Sequence, residues 1–548
     1  MKFSRRDVIK GMGAAGLTPL LSGGCGSNDS LPVLPEYEFD GTPGPATMFE
    51  HGVASGDPLP DGVILWTRVS PQVEGEIEVW WEMALDAEFT QRTAQGTEMT
   101  DASVDYTIKV DVSGLIWGRE YYYRFFAQGR ESPIGRTRLA PSGDRTSRLR
   151  FGLCSCANYS FGYFYGYRHM AARSDLDAVI HVGDYFYDYG NGTFPTMEDQ
   201  VRLRDPAGET ITLEDYRTRL SLFHRDPDLA ELHRQVPFIV VWDDHETANN
   251  SWMGGAENHT PPDPGCEQPC DPEGEGEWSD RVAAARQAFF EWIPIRETPG
   301  RRLYRTVKYG DLADIFMLDT RIEGREEQFS AIAFPPDQEG LPDQLLGPEQ
   351  EAWLQAELMN STAKWRILGN QVVMSFWNLG GLLANSDQWH GYPGARGRFM
   401  SFLRDNEISN VVVLTGDVHS SWAMDVTVGD GSYDGTTQDG AVAVEFVAPG
   451  ITSPFEIEGI VNAIRDSSPH IRYVQEELSR GYVAVDVQAD KVQADWYFLD
   501  GVGEGQGNQS FGAAWAVMDG QARLTEMDGP ETDNEDTPPL APPNLDIG

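Results

Sequence analysis

The chain has 548 residues, 40% hydrophobic and 11% aromatic, which is enough apolar side chain for more than one packed core and too much for a wholly disordered polymer. With 42 Lys and Arg against 86 Asp and Glu, the formal charge is −44. That balance repels nucleic-acid backbones, so no nucleic-acid-binding surface is expected, and it suits a salty medium or bound cations. No apolar run reaches the ~20 residues of a membrane-spanning helix, and five cysteines are too few to build the fold from disulfides.

Residues 1–30 read as an export signal. Ser4-Arg5-Arg6-Asp7-Val8-Ile9-Lys10 sets an arginine pair ahead of the weakly apolar stretch Gly11 to Leu21. The segment resembles a twin-arginine signal, whose export machinery carries folded proteins, often with a cofactor already loaded. Cys25, after Leu20-Leu21-Ser22-Gly23-Gly24, resembles a lipoprotein cleavage site that would leave an acylated, lipid-anchored N-terminus. Ser22 departs from that pattern, and ordinary signal cleavage is the alternative. The expected destination is the periplasm, the medium or the cell envelope.

Residues 31–45 are Pro- and Gly-rich and read as a linker. From 46 to 140 the pattern is β: Val63–Val69, Glu76–Trp81, Tyr106–Val112 and Tyr121–Phe126 are short strands separated by turn residues. They predict a small sandwich of immunoglobulin or fibronectin type III kind, without a catalytic constellation. Between 145 and 520 strands alternate with helices, which predicts an α/β domain with either a central mixed sheet or two sheets. Strands are expected at Leu149–Cys154, Ala178–Val182, Phe238–Trp242, Ile315–Leu318, Arg366–Leu368 and Val411–Leu414, with helices near 162–173, 214–223, 279–292, 348–360 and 395–406. The polar insertion 249–278 holds Cys266 and Cys270, for which a local disulfide is expected ahead of metal binding. The tail 525–548 is acidic and Pro-rich and is expected to be disordered.

Ligands of an open α/β sheet gather at the carboxyl ends of its strands. Here those ends carry Ser155-Cys156, Gly183-Asp184-Tyr185-Phe186-Tyr187, Asp243-Asp244-His245-Glu246, Gly369-Asn370-Gln371 and Gly416-Asp417-Val418-His419. A single acidic strand end is ordinary. Five ends bearing thiol, carboxylate, phenol, amide and imidazole together point to metal ligation. Cys154 reads as a buried thiol and His181 as a core histidine. Tyr185 and Tyr189 read as aromatic walls, Asp243 as a supporting carboxylate, and Asn249 and Asn250 as loop-fixing residues. Glu445 reads either as support for the metal site or as an ion pair on its strand.

The series Gly183-Asp184, Asp244-His245-Glu246 and Gly416-Asp417-Val418-His419 resembles the calcineurin-like metallophosphatases. The forms Ser155-Cys156, Asp184-Tyr185-Phe186-Tyr187 and Trp242-Asp243-Asp244-His245-Glu246, with the lead-in His51-Gly52-Val53-Ala54-Ser55-Gly56-Asp57-Pro58, resemble its alkaline phosphatase D (PhoD-like) branch. The resemblance covers about 46 to 500. It implies a four-layer α/β core of mixed β-sheets behind a small all-β sandwich, with a binuclear or trinuclear metal site that hydrolyses phosphate mono- or diesters. It also implies Fe³⁺ with Ca²⁺, Zn²⁺ being the second choice. Carried over residue by residue, the metal ligands are Cys156, Asp184, Tyr187, Asp417 and His419, with Asp184 bridging two ions. Asp244 stands where most metallophosphatases have Asn, which adds a charge that suits Ca²⁺. His245 would be the proton donor to the leaving group and Asn370 a further metal or phosphate contact; apart from the resemblance, Arg168, after Tyr163, Tyr165 and Tyr167, reads as a candidate substrate contact. The alternatives are an inactive cell-surface binding protein on the same fold, or a phospholipase D-type lipid phosphodiesterase using the same metal site.

Overall fold

The computed structural model describes residues 34–143, 146–263, 274–331, 333–429, 431–455, 459–475, 477–534 and 537–543. The signal segment with Cys25, and the Cys266 and Cys270 pair, lie outside them. The first part of the chain supplies β1 (Val53–Gly56), β2 (Gly62–Arg68), β3 (Ile77–Ala84), β4 (Arg92–Thr100), β5 (Thr107–Ser113), β6 (Glu120–Ala127), β7 (Arg130–Glu131) and β8 (Gly135–Arg138). The alternating part begins with β9 (Arg148–Cys154), α1 (Tyr165–Ala171), β10 (Ala178–His181), α2 (Leu213–His224), α3 (Pro227–Gln235), β11 (Phe238–Val240) and α4 (Trp278–Trp292). It continues with β12 (Arg305–Tyr309), β13 (Ala313–Met317), β14 (Ala333–Phe334), α5 (Gly347–Asn360), β15 (Trp365–Gly369), β16 (Asn378–Leu379), β17 (Leu382–Ala384), α6 (Pro393–Asp405) and β18 (Val411–Thr415). The remainder is β19 (Trp422–Thr427), β20 (Ala441–Val447), α7 (Ile460–Ser467), β21 (Ile471–Val474), β22 (Gly481–Gln488), β23 (Lys491–Leu499), β24 (Gln509–Met518) and β25 (Leu524–Glu526).

Two large mixed sheets pack face to face. One runs β25-β24-β23-β22-β9-β10-β11-β1-β2-β5 and the other β12-β13-β15-β18-β20-β19-β21. The alternation of side chains along a strand makes the layers. In β18, Val412 and Leu414 point into the core between the sheets, while Val411 and Val413 point outward onto Leu354 and Leu358 of α5 and Phe399 and Leu403 of α6. In β9, Phe151 meets Tyr309 of β12 edge-on, with ring centroids 5.0 Å apart, whereas the opposite face at Gly152 lies against Met170 of α1. The order is therefore helix, sheet, sheet, helix. Among the described residues no helix is long and apolar enough to cross a membrane.

The N-terminal strands form a sandwich, but not a free-standing one. β3, β4, β6, β7 and β8 make one sheet. Its inward residues, including Val79, Met83, Tyr123 and Phe125, pack against Val63, Leu65, Val110 and Val112 of β2 and β5. Those same strands extend the large sheet of the α/β part, since β1 pairs in parallel with β11 at Gly56 and Phe238. β1 and β2 thus serve two cores, with Val53, Val63 and Leu65 on the sandwich side and Ala54 and Trp66 on the other.

The described residues of the acidic tail, 525–534 and 537–543, depart from expectation: their backbone is laid along the molecule, and Glu531 and Asp533 find basic partners. Asp533 Oδ1 accepts from Arg150 at 2.9 Å and from Arg173 at 2.7 Å, and Glu531 pairs with Lys491. Further on, Ala541 exchanges two hydrogen bonds with the Gln235 side chain, and the Pro539 carbonyl accepts from Tyr122 Oη at 2.7 Å. Composition weighs charge against hydrophobicity, but it cannot register a basic groove formed by residues hundreds of positions away. A chain ending at Glu526 should keep the fold and lose about 2–4 kcal/mol of stability, the net worth of a few charge-assisted hydrogen bonds. Urea unfolding of the two chains measures this, and equal midpoints would show that the docked tail contributes nothing.

Candidate active site

The carboxyl ends of β9, β10, β11, β13 and β18 come together, and those of β10, β11 and β18 line one cavity. β9 delivers Cys156, β10 delivers Asp184 and Tyr187, β11 delivers Asp243, Asp244 and His245, and β18 delivers Asp417 and His419. Three overlapping groups have ligand atoms within 4.8 Å of one another: Cys156, Asp184 and His419; Asp184, Asp244 and His245; and Asp243, Asp244 and Asp417. Tyr187 Oη closes the first group, 3.0 Å from Asp184 Oδ2 and 2.9 Å from His419 Nε2.

The backbone bends sharply to achieve this. Cys156, Asp184, Asp417 and His419 all have left-handed backbones, with φ of 58°, 53°, 64° and 52°. Such conformations cost of order 1–3 kcal/mol each and persist where the surroundings over-determine them. Cys156 illustrates the purpose. A regular strand would set residues 154 and 156 on one face, but β9 ends at Cys154 and the left-handed turn sends Cys156 to the ligand cluster. Cys154 stays in the core, and both thiols are free. Gly183 has φ of 104° and packs so tightly that a Cβ would sit 2.4 Å from Asp243 Cβ. Gly416 keeps an ordinary backbone, and its role is close approach, because a Cβ would sit 2.6 Å from Ser155 Oγ.

Buried carboxylates repel one another, and the structure answers with an arginine. Arg321 is completely buried in the loop after β13. Its Nε donates to Asp243 Oδ1 at 2.5 Å, Nη1 to Asp387 Oδ1 at 2.8 Å and Nη2 to Asp417 Oδ1 at 2.8 Å, and Nη2 lies 3.6 Å from Asp244 Oδ1. Burial would raise the Asp244 carboxyl, but Arg321 and His245 hold it below the usual carboxylate range. Asp417 is pushed up to about 6 by burial, with Arg321 opposing. Asp184 has no such cation beside it, and burial with its acidic neighbours drives it well upward. Burial likewise raises the Cys156 thiol and the Tyr187 phenol well above their ordinary values.

The two histidines are oriented through Nδ1. His419 Nδ1 donates to the Pro454 carbonyl at 2.6 Å, which leaves Nε2 as the lone-pair atom facing the cluster. His245 Nδ1 lies 2.7 Å from Asp188 Oδ1, and Asp188 is itself held by Asn258 at 2.7 Å. Burial would lower the His245 pKa, but Asp244 and Asp188 outweigh it, so the imidazole is held protonated above its ordinary range. Glu246 ties the ends of β10 and β11 together by accepting from the backbone N–H of Asp184, Tyr185 and Asp243.

Two expected contacts are not brought to the site. Asn370 spends its amide inside the fold: Nδ2 donates to the Val372 carbonyl at 2.6 Å and Oδ1 accepts from Trp389 at 3.0 Å. Arg168 lies on α1 in a two-point pair with Asp228. Tyr185, expected as a wall, is a buried partner of His233, while Tyr189 lines the cavity. Asn249 and Asn250 also line it. Glu445 forms no ion pair among the described contacts. It accepts from Met374 N, Ser375 N and Thr415 Oγ1, bracing the turn into Asp417. Arg321, Asp387 and Asp188 were missed by the sequence reading. Arg321 had a signal, because Leu318-Asp319-Thr320-Arg321 is another polar strand end. Asp387 and Asp188 sit in loops and had none.

The chain matches two family models, one for the PhoD-like phosphatases over residues 151–496 and one for the PhoD-like phosphatase N-terminal domain over residues 39–141. Alkaline phosphatase D of Bacillus subtilis (strain 168) is 34% identical over 552 aligned positions, covering 96% of this chain and 89% of that protein. A solved structure of PhoD superposes with a TM-score of 0.78 at 33% identity, covering 91% of this chain and 94% of the other. The purple acid phosphatase PPD1 of yellow lupin (Lupinus luteus) shares the fold alone, with a TM-score of 0.54 at 13% identity over 85% of this chain and 73% of its own. The chain belongs to the PhoD-like phosphatase family and is a phosphoric ester hydrolase.

Proposed function

We propose that this is an exported, metal-dependent phosphoesterase acting on phosphate mono- or diesters. One observation carries the reading: Cys156, Asp184, Tyr187, Asp244, Asp417 and His419 form overlapping groups, and Asp184, Asp244, Asp417 and His419 of these line one cavity together with His245. The residues fit metal ions. Asp184 Oδ1 and Asp243 Oδ2 are buried without a hydrogen-bond partner, and Tyr187 Oη, Asp184 and His419 together make a donor set that would hold a cation. Thiol, phenol, imidazole and carboxylate suit Fe³⁺, with Zn²⁺ as second choice, and the carboxylates of Asp184, Asp244 and Asp417 suit Ca²⁺. Metal ions there would neutralise the ester phosphate and supply a nucleophile from water at neutral pH.

The chain's own groups complete the chemistry. Asp188 fixes the His245 tautomer and favours its protonated form, so that Nε2 can hand a proton to the departing alkoxide. Arg321 keeps Asp244 and Asp417 charged and in place. Ser453, with Oγ 2.5 Å from Tyr187 Oη, aims the phenol.

His245→Ala should retain metal and lose roughly 10²–10⁴-fold in hydrolysis of alkyl phosphates, with far less loss on nitrophenyl phosphates, whose leaving group needs no proton. Asp184→Ala should lose metal. Assays at matched metal content check this, and equal losses on both substrates would remove His245 as the acid. If iron is bound by Tyr187, the protein should be coloured and Tyr187→Phe should bleach it. Calcium chelation should abolish activity, with recovery on re-addition. A colourless, fully active zinc protein indifferent to calcium would reject this assignment. For export, replacing Arg5 and Arg6 by Lys should leave active protein inside the cell, as cell fractionation would show. Normal export of that double variant counts against the twin-arginine signal.

A further inference from the structure

We infer that the cavity selects phosphate esters whose alcohol presents an apolar face and carries no further negative charge, a proposal that rests on the phosphoesterase reading above. The cavity holds about 450 Å³ and its sides differ in kind. On one side Trp377, Phe455, Ile460 and Ile464 form an apolar wall that continues to Val418, the residue between Asp417 and His419. These side chains come from the segment leading into β16, the loop after β20 and α7, and they belong to one hydrophobic cluster separate from the two main cores. A wall gathered from separate elements beside a polar cluster is where an apolar group of a substrate would lie.

Another part of the lining is polar and anionic. Glu257 is exposed there and accepts from the side-chain amides of Asn249 and Asn250, so its carboxylate is fixed at the mouth. Among the described residues lining the cavity there is no lysine or arginine. Arg321, the nearest guanidinium in the site, is fully buried and committed to carboxylates. His245, the cationic group in the lining, is taken up by Asp188, and Asp387 is already paired with Arg321 and Arg325, so a second anionic group on the substrate would meet the Glu257 carboxylate with no lysine or arginine to pair it, and like charges brought together without a partner are strongly disfavoured. A methylene laid on an apolar wall gains roughly fourfold.

The test uses the purified, metal-loaded protein and diesters that share a nitrophenolate leaving group. Their second alcohol is ethyl, hexyl or 5-carboxypentyl. The same alcohols are also tested as monoesters by phosphate release, so either esterase preference gives a reading. The hexyl ester should exceed the ethyl ester in kcat/KM by about tenfold or more, and the carboxypentyl ester should fall about tenfold or more below the hexyl. Phe455→Ala and Ile460→Ser should each shrink the hexyl-to-ethyl ratio, and Glu257→Gln should raise the carboxypentyl ester relative to hexyl. Nitrophenyl phosphate is the control for the underlying activity. Turnover of nitrophenyl phosphate with no discrimination among the three alcohols overturns the inference and leaves the phosphoesterase reading intact. A hexyl preference that neither wall variant alters removes the wall as its cause. No turnover of any ester sinks both.

Discussion

Many carboxyl groups are gathered out of water at the meeting point of two sheets, and the rest of the structure follows from the need to keep them there. A buried charge without a partner is among the costliest things a fold can contain. The chain meets this with one fully buried guanidinium, Arg321, shared among Asp243, Asp387 and Asp417 and lying close to Asp244. A second, Arg281, stands 3.7 Å from Asp188 and donates to Glu209. Asp184 is the exception, with an orphaned oxygen and no arginine. The distribution divides the site in two: carboxylates already neutralised by protein, and a carboxylate left for something from outside.

That arrangement needs rigid support, because left-handed residues at strand ends relax if their neighbours give way. Support comes from the hydrogen-bonded frame around them. Glu246 joins the ends of β10 and β11, and Glu445 joins Thr415 to the loop at Met374. Farther out, β1 continues the sheet that carries β9, β10 and β11, so the N-terminal strands stiffen the platform from its edge.

Much of this was legible in the sequence because it depends on local pattern. Strand periodicity gave the alternating region, and polar residues just past apolar runs marked Cys156, Asp184, Asp244, Asp417 and His419. What the sequence hid depends on contacts between distant segments. Asn370 follows a strand just as Asp417 does, yet Trp389 and Val372 claim its amide. Arg168 follows a row of tyrosines but faces Asp228. Asp188 is the residue after Tyr187 and acquires meaning only when His245, from another strand, arrives 2.7 Å away. The sharing of β1 and β2 between two cores is likewise invisible to a reading that divides the chain into consecutive domains.

The position of β22 carries a consequence for how the molecule comes into being. The strand at Gly481–Gln488 pairs directly with β9, the first strand of the α/β part, at Val483 and Leu153, and Ala541 settles beside Tyr122 later still. During synthesis the flank of β9 therefore stays open until Gly481–Gln488 has left the ribosome. Prematurely terminated products would expose the flank of β9, a ready surface for strand addition and self-association. Emergence of β22 is thus the event that covers this flank, and copies ending before it would be distinguishable to cellular quality control by the exposed strand.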